Sequence, residues 1–180
     1  MKTYIVLLRG VMPVGKNRVP MAVLREVLAD AGYQNVRTYI ASGNALVDSN
    51  SKPREIEKHV HDLIKKHIGP ELTVVVRTGA ELQMVLDNNP FTKGYDIARV
   101  FFTLFAAAPA AAVVKELTAQ DFGDEEIVIT KLAAYLYLPG NAARSKLTNA
   151  FLERKLGVTM TARNFNTVGK LIEMTSMSLD

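Results

Sequence analysis

Residues 36–49 read VRTYIASGNALVDS. Two β-rich stretches, 36–41 and 45–48, flank Ser42-Gly43-Asn44, a triplet that favours a chain reversal, so the segment predicts a hairpin. What precedes and follows this hairpin decides the fold. Upstream, Pro20 suits the first turn of a helix. Leu24, Val27, Leu28 and Ala31 then mark one helical face, and Gly32 ends it. Downstream, Ser51 and Pro53 open a second helix with an apolar stripe of Ile56, Val60, Leu63 and Ile64. A doubly apolar strand over 2–9 and the run LTVVVRT (72–78) bracket the whole, giving the order βαββαβ.

A linking helix is expected over 79–87, broken by Asn-Asn-Pro at 88–90. The order then recurs. ARVFFTLF (98–105) reads as a strand, and Pro109–Leu117 as a helix. EIVITK and AAYLYL form a hairpin, Ser145–Leu156 a helix, VTMTAR a strand, and a last helix lies near 167–174. The expected class is α+β, with two tandem βαββαβ (ferredoxin-like) units and mainly antiparallel sheets. The expected boundaries are 1–78 for the first unit, 79–96 for the link, and 97–180 for the second unit with its C-terminal helix. Only the order of elements repeats; no residue-by-residue repeat is evident. Strands apolar on both sides imply that each sheet is covered on both faces, by the other sheet or by a partner subunit. Monomer and homodimer both remain open.

The 180 residues are 48% hydrophobic and 22% charged, an ordinary globular balance that argues against disorder. Cysteine is absent, which removes disulfides, thiolate metal sites and cysteine nucleophiles, and suits a reducing compartment. Arg9 interrupts the only apolar run near the N-terminus, so no signal peptide or membrane span is expected. The reading is a soluble cytoplasmic protein without a membrane partner. The net charge of +4 favours anionic partners, but only where it is focused.

Two places focus it. RGVMPVGKNRVPM (9–21) contains Gly10, Gly15 and Lys16 in G-x-x-x-x-G-K spacing. A phosphate-binding P-loop needs Ser or Thr next, to hold magnesium, and a helix starting at that point. Asn17 lacks the hydroxyl, and Pro20 delays the helix, so a nucleotide triphosphatase is rejected. In a βαββαβ unit the loop after the first strand still meets the Ser42-Gly43-Asn44 turn at one end of the sheet. Arg9, Gly10, Gly15, Lys16, Ser42, Gly43 and Asn44 are therefore candidate anion-binding residues. By the same argument Arg144, Ser145 and Lys146 of NAARSK are expected near Arg163 and Asn164 of ARNFNTV, as a second candidate cluster. Asn164 or Thr167 could equally cap the last helix. Arg163 shows no packing role and reads as a surface charge.

Three segments, YIVLLRGVMPVGKNRVPMAVLREVL, VRTYIASGNALVDS and NAARSKLTNAFLERKLGVTMTARNFNTVGKL, resemble the domain-of-unknown-function 1697 family of bacterial proteins, and the similarity runs along essentially the entire chain. Where the family reads Leu-Arg-Gly-Ile-Asn-Val-Gly-Gly, this chain has Met12 and Pro13. Phe165 stands where the family has Trp, keeping an aromatic and losing the indole N–H. The resemblance implies an α+β fold and a bacterial cytoplasmic setting, with no established activity. Its motif positions, among them Thr38, Tyr39, Thr161 and Thr167, largely coincide with the two loop clusters.

Catalytic chemistry finds little support. His59, His61 and His67 lack metal-ligand spacing, so neither metal nor cofactor is called for. Ser42 and Ser145 have no identifiable His base. Tyr135, Tyr137, Phe101 and Phe105 lie at strand spacing, as in RNA-recognition sheets. The basic RNP1 start is missing, and core packing is the plainer reading. The expected function is binding of a phosphate-bearing ligand, nucleotide or nucleic acid, through the basic Gly/Asn loops. A small-molecule enzyme with its site between the units, or a protein-interaction module, are the alternatives.

Overall fold

A computed structural model describes residues 1–177. The chain is α+β, with two four-stranded antiparallel sheets and six α-helices among the described residues. It divides into two compact units, Met1–Leu82 with the described residues from Leu171, and Gln83–Lys170.

In the first unit the elements are β1 (Lys2–Leu8), α1 (Met21–Asp30), β2 (Gln34–Tyr39), β3 (Asn44–Ser49), α2 (Pro53–His67) and β4 (Val74–Thr78). The strand order is β2-β3-β1-β4. Register explains the doubly apolar strands. Val6 faces Ala45 on one side and Val76 on the other, and Leu8 faces Val74. These residues pack with Leu24, Leu28, Ile56, Val60 and Ile64 of the helices. Each such aliphatic side chain contributes about 1.5–3 kcal/mol by leaving water. Ile5, Leu7, Leu46 and Val75 form the opposite face and are equally buried.

The second unit continues from α3 (Gly79–Asp87), which begins in the first. It holds β5 (Val100–Phe105), α4 (Ala111–Thr118), β6 (Glu126–Ile129), β7 (Ala134–Tyr137), α5 (Asn149–Leu156), β8 (Met160–Asn164) and most of α6 (Phe165–Thr175). Its strand order is β6-β7-β5-β8. Phe105, Leu136 and Met160 pack with Leu117 and Leu152 on one face. On the other face, Phe102 meets Tyr135 edge-on at 5.6 Å and the Phe165 ring at 5.9 Å.

Three boundaries differ from the sequence expectation; first, the link expected over 79–96 is divided between the two units, at Leu82 and Gln83. The helix expected from Ser145 starts at Asn149, because Thr148 accepts the Phe151 N–H and caps it there. The C-terminal end of α6 groups with the first unit instead of the second. There Arg37 donates to the Met174 and Met177 carbonyls, and Thr175 sits against Gly79.

Candidate functional site

The segment between β1 and α1 is a closed loop. Gly10 and Gly15 turn it at positive φ, Met12 N–H donates to Asn17 O, and Arg18 N–H donates to Gly15 O. The helix begins at Met21, five positions beyond Lys16, so P-loop geometry is absent. As the topology predicts, this loop meets the β2–β3 turn. Leu8 N–H donates to Gly43 O at 2.8 Å, and Gly43 has φ +83. A Cβ at Gly43 would lie 2.7 Å from Val11 Cγ2 and 2.8 Å from Leu8 Cβ, so only glycine fits. Asn44 is fully buried, its amide donating to Tyr39 O and Ser42 Oγ. Gly43 and Asn44 thus hold the turn, while Gly10, Gly15, Lys16 and Ser42 are exposed and Arg9 is half-buried.

Two grooves flank the loop. One, of about 440 Å³, runs between the loop and the β2–β3 turn, with Met12, Arg18, Val19, Met21, Thr38 and Ile40 on its walls. The other, of about 400 Å³, lies between Gly15, Lys16, Arg18 and the end of α2, at His67 and Gly69. Among the described residues no carboxylate lines either groove. Arg18 lines both, is exposed, and its guanidinium has no hydrogen-bond or ion-pair partner among the described residues. The carboxylate that senses Lys16 is Glu71, whose pKa is lowered mainly by the Lys65 hydrogen bond, then by the Lys65 charge, with smaller contributions from His61 and Lys16. Helix α1 opens at the same place on Pro20, with no side-chain cap on its first N–H groups.

The second cluster is differently arranged. Arg144 and Lys146 are exposed, but Ser145 is buried and bound to Glu125. The Glu125 carboxylate accepts the Ser145 hydroxyl at 3.0 Å and the Lys146 and Leu147 N–H groups at 3.0 and 3.3 Å. The loop's donors therefore already hold an internal anion. Glu125, which the Ser145 loop binds, leads into β6, whereas Arg163 and Asn164 end β8, the strand at the other edge of the sheet. Arg163 is not a surface charge either. It is 8% exposed, and Nη1 donates to Thr161 Oγ1 and Ala162 O, each at 2.7 Å. Burial lowers its pKa to about 10. Its place on the Phe102 face of β8 explains this, because that face is buried. Asn164 Oδ1 accepts the Thr167 N–H and so caps α6.

The aromatic residues offer no open stacking sheet. Tyr135 and Phe105 are buried, and Tyr137 packs against Tyr95 and Phe91. His59 shares a hydrogen bond with the Tyr33 hydroxyl and His61 pairs with the Leu72 carbonyl. No metal-binding group of His, Asp or Glu occurs among the described residues.

Residues 1–135 match the model of a family described as "Protein of unknown function (DUF1697)". The chain belongs to that family. The motif quoted at 141–171 lies beyond the matched residues. No curated protein matches the sequence. Among solved structures, a conserved bacterial protein, SP0830 from Streptococcus pneumoniae, is 24% identical with a TM-score of 0.75, over 97% of this chain and 98% of its own. At that identity the likeness shows the fold. No helix among the described residues of this DUF1697 member is long and apolar enough to cross a membrane.

Sequence reasoning passed over Arg18, Thr38, Ile40 and His67 as groove residues of this family member. Arg18 lay inside the quoted loop, but P-loop spacing drew attention to Lys16. Ile40 could not be found from sequence at all, because its significance is a backbone angle, φ +48 in a β-branched residue.

Proposed function

We propose that this protein binds a phosphate-bearing ligand at the loop between β1 and α1, with Arg18 and Lys16 supplying the charge. The carrying observation is the Arg18 guanidinium, unpartnered among the described residues and shared by two grooves with no described carboxylate on their walls. The uncapped start of α1 supports it, since helix N-terminal N–H groups and the helix dipole favour anions. The Glu125-filled loop of the second unit is not part of this site. Inorganic phosphate titrated into 15N-labelled protein is expected to shift the Gly15, Lys16 and Arg18 amides. Arg18→Ala should abolish the shifts, and Arg144→Ala should leave them intact. Shifts confined to residues 141–146 would defeat the proposal. A compact ligand further predicts a shallow salt dependence, whereas nucleic acid predicts a steep one.

We also read the two units as tandem ferredoxin-like repeats. Matching details support this beyond element order. Arg77 and Arg163 each donate Nη1 to the preceding carbonyl at 2.7 Å. Thr78 and Asn164, one position later, each accept the N–H three residues on, where a helix follows directly. The absence of cysteine suits a cytoplasmic location.

A further inference from the structure

The groove beside the β2–β3 turn is unlike a bare phosphate site. Its walls are mainly apolar, with Met12, Val19, Met21 and Ile40 surrounding two polar groups, Arg18 and the Thr38 hydroxyl. Thr38 is held in place by Arg25, whose Nη1 donates to its Oγ1 at 3.3 Å. The volume of about 440 Å³ is that of a small-molecule pocket. At its rim Ile40 is half exposed at φ +48, and Met12 is also half exposed. A β-branched residue in the left-handed region with its side chain in water gains nothing locally from that conformation. It does present an aliphatic wall to the groove.

We propose that this groove holds the apolar body of an amphipathic organic phosphate monoester of about nucleotide size. Its phosphate sits on Arg18 and its ring or chain lies against Met12, Met21 and Ile40. The inference rests on the phosphate reading above and adds the class of ligand. Methionine suits such a wall because its flexible thioether adapts to flat or irregular partners. A polyanion is less well matched, since no aromatic side chain lines this groove for base stacking.

The probes are inorganic phosphate and phenyl phosphate, compared by titration with methyl and amide NMR. Phenyl phosphate is expected to bind about tenfold more tightly, from partial burial of its ring, and to shift the Met12, Met21 and Ile40 methyls. Ile40→Gly relieves the left-handed strain, so it should melt no lower than the parent yet lose the phenyl phosphate advantage while keeping phosphate binding. Met12→Ser is the second variant, with the same expected loss. If phosphate binds at Arg18 but phenyl phosphate binds no better and the methyls stay still, the apolar-body inference fails and the phosphate site stands. If neither probe binds, both fail. A single-stranded oligonucleotide binding at Arg18, with no phenyl phosphate preference, overturns the inference in favour of a polyanion.

Discussion

Gly43→Ala tests the junction on which the candidate site depends. Two penalties combine. The backbone at φ +83 costs an L-residue about 1–2 kcal/mol. The new methyl would sit 2.7 Å from Val11 Cγ2 and 2.8 Å from Leu8 Cβ. Leu8 is itself fully buried on the central strand β1 and cannot retreat, so overpacking adds about 1–3 kcal/mol. The expected loss is about 2–5 kcal/mol, and at about 2–4 °C per kcal/mol the midpoint should fall by about 4–20 °C. Urea and thermal unfolding measure it. Adding Val11→Ala removes one of the two overlaps but neither the Leu8 contact nor the backbone term. A double-mutant cycle should therefore show a favourable coupling of about 1 kcal/mol. Gly43→Ala within about 0.5 kcal/mol of the parent would refute the close approach of loop and turn. The same variant should weaken phosphate binding, because the loop carrying Arg18 rests on this junction.

Other perturbations probe the rest of the chain. Glu125→Ala should cost about 1–3 kcal/mol by chemical denaturation, since three donors lose a charged acceptor in a loop that water can partly reach, and Glu125→Gln less. No loss in either would mean the carboxylate does not organise residues 145–147. Arg18→Ala should leave the melting temperature essentially unchanged, because the side chain is exposed and unpartnered among the described residues. A clear drop would reassign Arg18 to structure. The Thr103 hydroxyl is buried without a hydrogen-bond partner among the described residues; the Tyr135 phenol is also buried, which raises its pKa, with the Thr130 hydroxyl acting the other way. Thr103→Val should stabilise by about 1 kcal/mol, and destabilisation of that size would show a partner for its hydroxyl.

The architecture was legible because its causes are local and periodic. Alternation across β1 and β4, the 3.6-residue stripe of α2 and the Ser-Gly-Asn turn each act over a few residues, and together they leave few topologies. The dismissal of the P-loop was legible for the same reason, from Asn17 and Pro20 alone. The convergence of the 10–19 loop with the 42–44 turn followed from chain direction. Its tightness at Gly43 did not, since it depends on where the Val11 and Leu8 side chains stand.

Arg144 and Lys146 of the second cluster are exposed, but Ser145 and Arg163 are buried for reasons that no short window contains. Glu125 lies twenty residues before Ser145, and only the β6–β7 pairing brings its carboxylate under that loop. Arg163 looks like any charged strand residue until the burial of both sheet faces is known. By itself the sequence determined the element order, the class of fold and the loop in which a ligand would be sought, because hydrophobic period and turn chemistry are properties of neighbours in the chain. Only the tertiary structure decided which charges are free to bind. Burial and internal pairing are set by residues distant in sequence, and they removed Arg163 and the Ser145 loop while leaving Arg18 open to solvent.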